Sequence, residues 1–111
     1  MTMQSPIGFD PDYHQEAPER SALEALSGDT LLEFGTSWCG HCQRAAPCVE
    51  QALTAASLRH VKVEDGKGRR LGRSFGVKLW PTLILLRDGV EVGRIVRPTS
   101  TEDVMALLET P

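Results

Sequence analysis

The stretch Trp38-Cys39-Gly40-His41-Cys42 places two cysteines, with two residues between them, directly after a tryptophan. A short, mostly apolar run, Leu31-Leu32-Glu33-Phe34-Gly35, precedes it, and a helical pattern from Gln43 to Ala56 follows it. A strand that leads into a helix with Cys-x-x-Cys at the junction is typical of a dithiol redox site. Two sulfurs at this spacing on the first turn of a helix can meet and close a small ring. We therefore expect a redox-active Cys39–Cys42 pair.

The order of the two sulfurs relative to the helix start predicts their roles. The helix N-terminus places partial positive charge beside Cys39 and favours its thiolate, which is the nucleophilic form. Cys39 is therefore expected to attack a disulfide, and Cys42 to resolve the product. A protonated His41 would stabilise the Cys39 thiolate further and would make the disulfide more oxidising.

Half of a zinc site is the alternative interpretation of two cysteines at this spacing, but it needs two more ligands. Outside the motif, Cys48, His14 and His60 are the remaining cysteine and histidine residues, and none of them forms a second pair. Redox chemistry without a bound metal is therefore the expectation. Cys48 faces about 120° away from Cys42 around the helix, which favours a buried, inert thiol.

Composition limits the classes of function. The 111 residues suffice for one domain with a modest core. A net charge of −3 gives no strong attraction to nucleic acid, and three cysteines are too few for a disulfide framework. No stretch reaches membrane-spanning length. Residues 1–11 lack the marks of a signal or transit peptide, so we expect a cytoplasmic protein that binds neither membranes nor nucleic acid.

The remaining pattern predicts an α/β fold with a mixed sheet. Residues 1–16 are interpreted as an irregular N-terminal arm, which could add one short edge strand near Ile7 or Tyr13, and residues 17–111 as the domain. Strands are predicted at 31–35, 60–64, 82–86 and 90–96, with the turn Asp88-Gly89 between the last two. Helices are predicted at 18–27, 43–58, 69–75 and after a capping box formed by Ser100 and Asp103.

These features together resemble the thioredoxin family over about residues 17–108. The Trp-Cys-Gly-His-Cys run has the form of the active-site motif in protein disulfide isomerase domains, whereas thioredoxins proper usually carry proline at the position of His41. Pro47 matches the proline that kinks the active-site helix, and Pro81-Thr82 matches the segment with the family's cis-proline. The resemblance implies a thioredoxin fold, a central mixed β-sheet flanked by helices, and activity as a thiol–disulfide oxidoreductase.

The resemblance also implies further site residues. Glu33 matches the family's buried acid, and a buried carboxyl with a raised pKa could exchange a proton with Cys42. The alternative is that Glu33 is a solvated strand residue. Lys62 matches a lysine near that acid, or is simply an exposed strand lysine. The implied substrate-binding residues are Trp38, Gly40, Trp80, Pro81 and Thr82.

Two departures from the family bear on that binding surface. Trp80 stands before the cis-proline, where a smaller residue is usual, and its indole could cap the groove or offer an apolar platform. Arg97-Pro98 stands where a glycine often contributes to the substrate groove. Pro81 is expected to present backbone groups to an extended substrate beside Cys39.

The expected function is reduction of protein or peptide disulfides by a monomer that holds no organic cofactor or metal and takes electrons from a separate reductase. Two alternatives stay open. The first is a disulfide oxidase or isomerase, which His41 favours. The second is a non-catalytic interaction module with the thioredoxin fold, which Trp80 and Arg97 keep open.

Overall fold

The computed structural model describes residues 7–111, and within them the chain forms four strands and four helices. The strands are β1 (Asp29–Gly35), β2 (Arg59–Glu64), β3 (Thr82–Arg87) and β4 (Val90–Val96). The helices are α1 (Arg20–Glu24), α2 (Gly40–Ala55), α3 (Arg70–Ser74) and α4 (Thr101–Leu108).

The four strands form one mixed sheet in the order β2-β1-β3-β4. Strand β1 pairs in parallel with β2 and antiparallel with β3, which in turn pairs antiparallel with β4. The parallel pair needs a crossover connection, and α2 supplies it. Asp88 and Gly89 close the β3–β4 hairpin with φ values of 53° and 81°, and this left-handed backbone explains the Asp-Gly turn signal. The predicted α/β class with a mixed sheet is confirmed.

Both faces of the sheet are covered, because strand side chains alternate between the faces and helices pack on each. On one face, Leu32 and Phe34 of β1 join residues of α1 and α3 in a buried core. On the other, Leu31 of β1 joins residues of α2 and α4. Because both faces are covered, β1 is buried from Thr30 to Gly35. Packing therefore fixes the position of the end of β1, which leads into the cysteine motif.

The N-terminal arm lies along β2, the edge strand next to β1. Ile7 and His14 make isolated bridges with Arg59 and Val63, and the backbone of His14 exchanges hydrogen bonds with Lys62 O (3.1 Å) and Glu64 N (2.9 Å). An edge strand was expected near Ile7 or Tyr13; the described part of the arm instead makes two isolated bridges. The arm's residues 1–6 lie outside the described residues.

Helix α2 begins at Gly40, three residues before the predicted start at Gln43, because Cys39 serves as its N-cap with extended backbone (φ −81°, ψ 123°). Pro47 lies inside this helix. Helix α4 has the expected cap, since the Asp103 N–H donates to Ser100 Oγ over 3.1 Å. The N-cap at Cys39 places the cysteine motif on the first turn of α2.

Candidate active site

The two cysteines sit at the junction of β1 and α2, one at the surface and one beneath it. Cys39 is partly exposed at the N-cap of α2, while Cys42, on its first turn, is buried with 3% exposure. Both are free thiols, and the thiol of Cys42 hydrogen-bonds to Cys39. The expected dithiol is thus assembled, with one sulfur open to a substrate and the other behind it.

The environment of Cys39 stabilises its thiolate. Partial burial raises its pKa, but hydrogen bonds from the backbone and thiol of Cys42 and from the backbone N–H of His41, together with the charge of Arg97, bring the pKa below its usual value. Backbone donors at a helix start are a common means of stabilising a thiolate. Cys39 therefore has the character of the attacking sulfur.

Cys42 has the opposite character. Burial raises the pKa of this thiol to about 11, and the neighbouring Cys39 adds to the rise, although hydrogen bonds from Tyr13 and the Thr36 backbone oppose it. A thiol that stays protonated at neutral pH must lose its proton before it can attack. Resolution by Cys42 therefore calls for a nearby proton acceptor.

Glu33 is that candidate acceptor, and it is buried with 1% exposure. Its two carboxylate oxygens accept hydrogen bonds from different donors, Tyr13 Oη on one side and His60 Nε2, 2.9 Å away, on the other. The solvated-strand alternative for Glu33 is wrong. The raised pKa expected from burial is also wrong: burial alone would raise it, but the hydrogen bond and charge of His60, the charge of Lys62 and the hydrogen bond from Tyr13 together lower it.

The backbone of the arm fixes the tautomer of His60. The Asp10 N–H donates to His60 Nδ1 over 2.9 Å, so Nδ1 is the acceptor nitrogen and Nε2 carries the proton that is donated to Glu33. The ring of Phe9 also stacks on this imidazole, with centroids 5.6 Å apart. His60 is thus held as a donor to the carboxylate from two sides.

Lys62 is buried, with 4% exposure, so the exposed-lysine alternative is wrong. Its backbone pairs with Glu33 across β1 and β2. Its ammonium, however, donates to Pro11 O (3.1 Å) and lies 4.3 Å from the centroid of the Tyr13 ring. Lys62 therefore acts on Glu33 through its charge and not by direct pairing.

His41 is exposed, and the surroundings of its imidazole do not favour the role that was expected for it. Arg44 Nη2 donates to His41 Nδ1 over 3.1 Å. Slight desolvation and the positive charges of Arg97 and Arg44 lower the pKa of His41. This disfavours the protonated imidazole expected to stabilise Cys39, and leaves the backbone N–H as the contribution of His41.

Two tryptophans form an apolar surface beside the dithiol. Trp38 is 71% exposed, and its ring meets Trp80 edge-on with centroids 5.7 Å apart. The indole of Trp80 is fixed in turn, because its Nε1 donates to Asp65 Oδ2 over 2.9 Å. Gly40, which follows Cys39 directly, is the exposed first residue of α2.

The Trp80–Pro81 peptide bond is cis, as the family resemblance implies. Arg97 holds this segment twice, through its N–H to Pro81 O (2.9 Å) and its Nε to Trp80 O (2.8 Å). Thr82 is buried, and its hydroxyl donates to Leu79 O over 2.6 Å. The side chain of Thr82 is therefore not open to a substrate, and its backbone is the part of this residue that a substrate could pair with.

Neither Tyr13 nor His60 is expected in the site from the sequence, yet both contact Glu33. The signal that could have revealed them is a polar stripe. Glu33, His60 and Lys62 share the sheet face that α2 covers, and three buried polar groups there require partners from elsewhere in the chain.

In the part of the chain that the structure describes, no three histidine, cysteine or acidic residues are grouped as a metal site requires. The helices of residues 7–111 also lack the combination of length and apolarity that crossing a membrane demands.

Comparisons with known proteins agree with this geometry. The thioredoxin family model matches residues 14–110. Thioredoxin from Chlamydia trachomatis is 36% identical over 93 residues, which are 81% of this chain and 89% of that protein. Protein disulfide-isomerase A3 from Gallus gallus is 34% identical over 96 residues, 85% of this chain, but the chain spans only 19% of that protein.

A solved structure extends the agreement to three dimensions. Thioredoxin 2 from Pseudomonas aeruginosa, in its reduced form, superposes with a TM-score of 0.81 at 53% identity and covers 91% of this chain and 94% of that one. The mixed sheet, the flanking helices and the dithiol at the start of α2 are therefore features of one fold. The chain belongs to the thioredoxin family of thiol–disulfide oxidoreductases.

Proposed function

We propose that this protein reduces disulfides of proteins and extended peptides, with Cys39 as the nucleophile and Cys42 as the resolving thiol. One observation supports the proposal above all. The partly exposed Cys39 has a lowered pKa, and the buried Cys42 behind it has a pKa raised to about 11. In a pair whose thiols differ in this way, the exposed thiolate attacks the substrate, and the buried thiol attacks only in the second step.

The reaction has two steps. The Cys39 thiolate attacks one sulfur of the substrate disulfide, so that a mixed disulfide forms and the other substrate sulfur leaves with the electron pair as a thiolate. Cys42 then loses its proton and attacks Cys39, the mixed disulfide breaks, and the second substrate sulfur leaves. The substrate gains two electrons and two protons, and the Cys39–Cys42 pair becomes a disulfide.

Further parts of the proposal rest on the family. A separate reductase returns electrons to the Cys39–Cys42 disulfide, and the chain works as a monomer in the reducing cytosol with no organic cofactor or metal. Trp38, Gly40 and Trp80 contact the substrate, while Pro81 and Thr82 hold the backbone beside Cys39. The two rings would bind apolar side chains of an extended substrate.

A disulfide oxidase or isomerase is the second candidate. The lowered pKa of Cys39 favours it, because a stabilised thiolate stabilises the reduced form and makes the disulfide more oxidising. The similarity to one-fifth of protein disulfide-isomerase A3 agrees with it. A non-catalytic interaction module is the third hypothesis, and it predicts that the protein does not catalyse disulfide reduction.

Insulin reduction tests catalysis, and serine variants test the roles. Cys39→Ser should abolish reduction, whereas Cys42→Ser should accumulate mixed disulfides that can be seen by mass spectrometry. Mixed disulfides trapped by Cys39→Ser instead would reverse the roles, and no turnover by the parent protein would favour the interaction module. Equilibration of the parent dithiol with glutathione then separates a reductase from an oxidant.

A further inference from the structure

Tyr13 connects the resolving thiol to the buried carboxylate. Its hydroxyl donates to Glu33 Oε2 and also hydrogen-bonds with the thiol of Cys42. A Cβ built on Gly35 would lie 2.6 Å from both the Cys42 sulfur and the Tyr13 hydroxyl. The absence of a side chain at Gly35 thus leaves the space in which these two groups meet.

The hydroxyl of Tyr13 stays protonated in this position. Burial raises its pKa far above the usual value, and the charge and hydrogen bond of Glu33 add to the rise. A neutral hydroxyl can accept one proton while it donates another. It can therefore pass a proton between two groups without becoming ionised.

We propose that Tyr13 carries the proton of Cys42 to Glu33 during resolution, and that His60 is the positioning residue that keeps Glu33 ready to accept it. The Cys42 S–H proton moves to Tyr13 Oη as the proton of that hydroxyl moves to Glu33 Oε2. The new Cys42 thiolate, still hydrogen-bonded by Tyr13, then attacks Cys39. Glu33 returns the proton as the substrate thiolate departs, directly or through solvent.

The arm is therefore part of the active site. The arm supplies Tyr13 and two backbone groups that orient the residues around Glu33. The Asp10 N–H donates to His60, and Pro11 O accepts from the ammonium of Lys62. The hydrogen bond from His60 occupies Glu33 Oε1, which leaves Oε2 for Tyr13. The titratable and charged groups around this path are Cys39 on α2, Glu33 on β1, His60 and Lys62 on β2, Tyr13 on the arm, and Arg97 after β4, which acts on Cys39.

This inference rests on the proposed function, and single-turnover kinetics with dithiobis(nitrobenzoate) separate the two. Attack by Cys39 releases the first thionitrobenzoate, and attack by Cys42 releases the second. Tyr13→Phe should leave the first release unchanged and slow the second roughly 10²-fold at neutral pH, the lower end of the range for positioned proton transfer. Thr54→Val, a control that removes an exposed hydroxyl near the C-terminal end of α2, should leave both releases unchanged.

The pH profile gives a readout that a structural role would not move. In Tyr13→Phe the second release should rise about tenfold per pH unit above neutral pH, since direct ionisation of Cys42, whose pKa is raised to about 11 in the parent protein, replaces the relay. His60→Leu removes a donor that lowers the pKa of Glu33, so it should move the acidic limb of the second release to higher pH. His60→Gln, which can still donate, should restore part of the parent profile.

The outcomes are distinct. An unchanged second release in Tyr13→Phe, or an equal fall in both releases, would overturn the relay. If Tyr13→Phe fails to fold, the parent protein still decides. The relay moves two protons in one step, so a solvent deuterium effect on the second release that curves with the fraction of deuterium supports it, whereas a linear dependence or no effect overturns it. A parent protein that never gives a second release would overturn the proposed dithiol function and the relay with it.

Discussion

The imidazole of His60 donates to Glu33 Oε1 over 2.9 Å, and 0% and 2% of the two side chains are exposed. A carboxylate buried in this way is tolerated only when its oxygens are hydrogen-bonded. The second oxygen of Glu33 is satisfied by Tyr13. The acid beneath the dithiol therefore rests as a fully hydrogen-bonded carboxylate, and this state has consequences for stability as well as for catalysis.

Acid stability tests the ionisation of Glu33. Its pKa is lower in the folded protein than in an unfolded chain, so its charged form stabilises the fold at pH values above about 4.3 and this contribution is lost as the pH falls further. Glu33→Gln should lower the free energy of unfolding by about 1–3 kcal/mol at neutral pH, because Tyr13 and His60 lose a charged partner. In this variant the free energy of unfolding should also decline less steeply as the pH falls below about 4.3. Urea unfolding across this range measures both effects.

Asp29→Asn provides the control for that experiment. The Asp29 carboxylate pairs with Arg87 near the surface over 2.9 Å, and a hydrogen bond from Arg87 lowers its pKa. This variant should also flatten part of the acid decline, but it should leave the second thionitrobenzoate release intact. A Glu33→Gln curve that runs parallel to the parent below pH 4.3 would contradict the lowered pKa of Glu33.

The fold could be predicted from the sequence because local signals agree with the packing. Buried strands appear as short apolar runs, and the hairpin appears as Asp88-Gly89, where the left-handed backbone suits these residues. Predicted strand limits differ from the observed ones by at most two residues, at the start of β1. The start of α2 was less evident because Cys39 caps the helix without a side-chain hydrogen bond.

The site was only partly predictable, because half of it depends on contacts between distant parts of the chain. The dithiol is local, and its spacing alone indicates it. Tyr13 and His60, in contrast, lie 20 and 27 residues from Glu33 along the chain, and no local pattern marks either as its partner. The pKa of Glu33 depends on both contacts, so its direction could not be deduced from burial alone.

His41 should act through its backbone and not through its ring. Its N–H is a donor to Cys39, whereas its imidazole is exposed and accepts from Arg44. His41→Pro removes the donor and should slow alkylation of Cys39 at neutral pH about five- to tenfold. One hydrogen bond to a charged group contributes about 1.5–3 kcal/mol, and the greater nucleophilicity of a less stabilised thiolate offsets about half of it. His41→Ala keeps the donor and should change the rate less than about twofold. Iodoacetamide alkylation followed across pH measures this; equal effects of the two variants would assign the role to the ring.

Arg97 should stabilise the Cys39 thiolate through its charge. Hydrogen bonds from Cys42 and His41 contribute more to the lowered pKa of Cys39, and the charge of Arg97 follows. Arg97→Gln should therefore slow alkylation by about two- to fivefold, less than His41→Pro, and high salt should weaken the difference. The matched variant Arg97→Lys keeps the charge and should stay close to the parent. If Lys and Gln behave alike, the hydrogen bond from Arg97 to Trp80 O matters instead of the charge.

Trp80 should act as a platform for extended substrates and not as a gate. Its indole is fixed by the hydrogen bond to Asp65 and by the edge-on contact with Trp38, which is 71% exposed. A ring held on two sides presents a fixed apolar surface next to Cys39, and a mobile gate would lack such restraints. Trp80→Thr should therefore lower kcat/KM for insulin by about five- to tenfold, the scale of one lost aromatic contact. Reduction of a small aromatic disulfide should change little, since such a substrate reaches Cys39 without a long chain to position.

Two matched variants divide the contributions of this platform. Trp80→Phe keeps an aromatic ring but loses the hydrogen bond to Asp65, and Asp65→Ala removes that bond while it leaves the indole in place. If fixing the ring matters, both variants should lose part of the insulin activity, each less than Trp80→Thr does. Faster insulin reduction by Trp80→Thr would instead identify the indole as a gate. Equal changes on insulin and on the small disulfide would mean that Trp80 alters the reactivity of Cys39, and a platform would then be the wrong description.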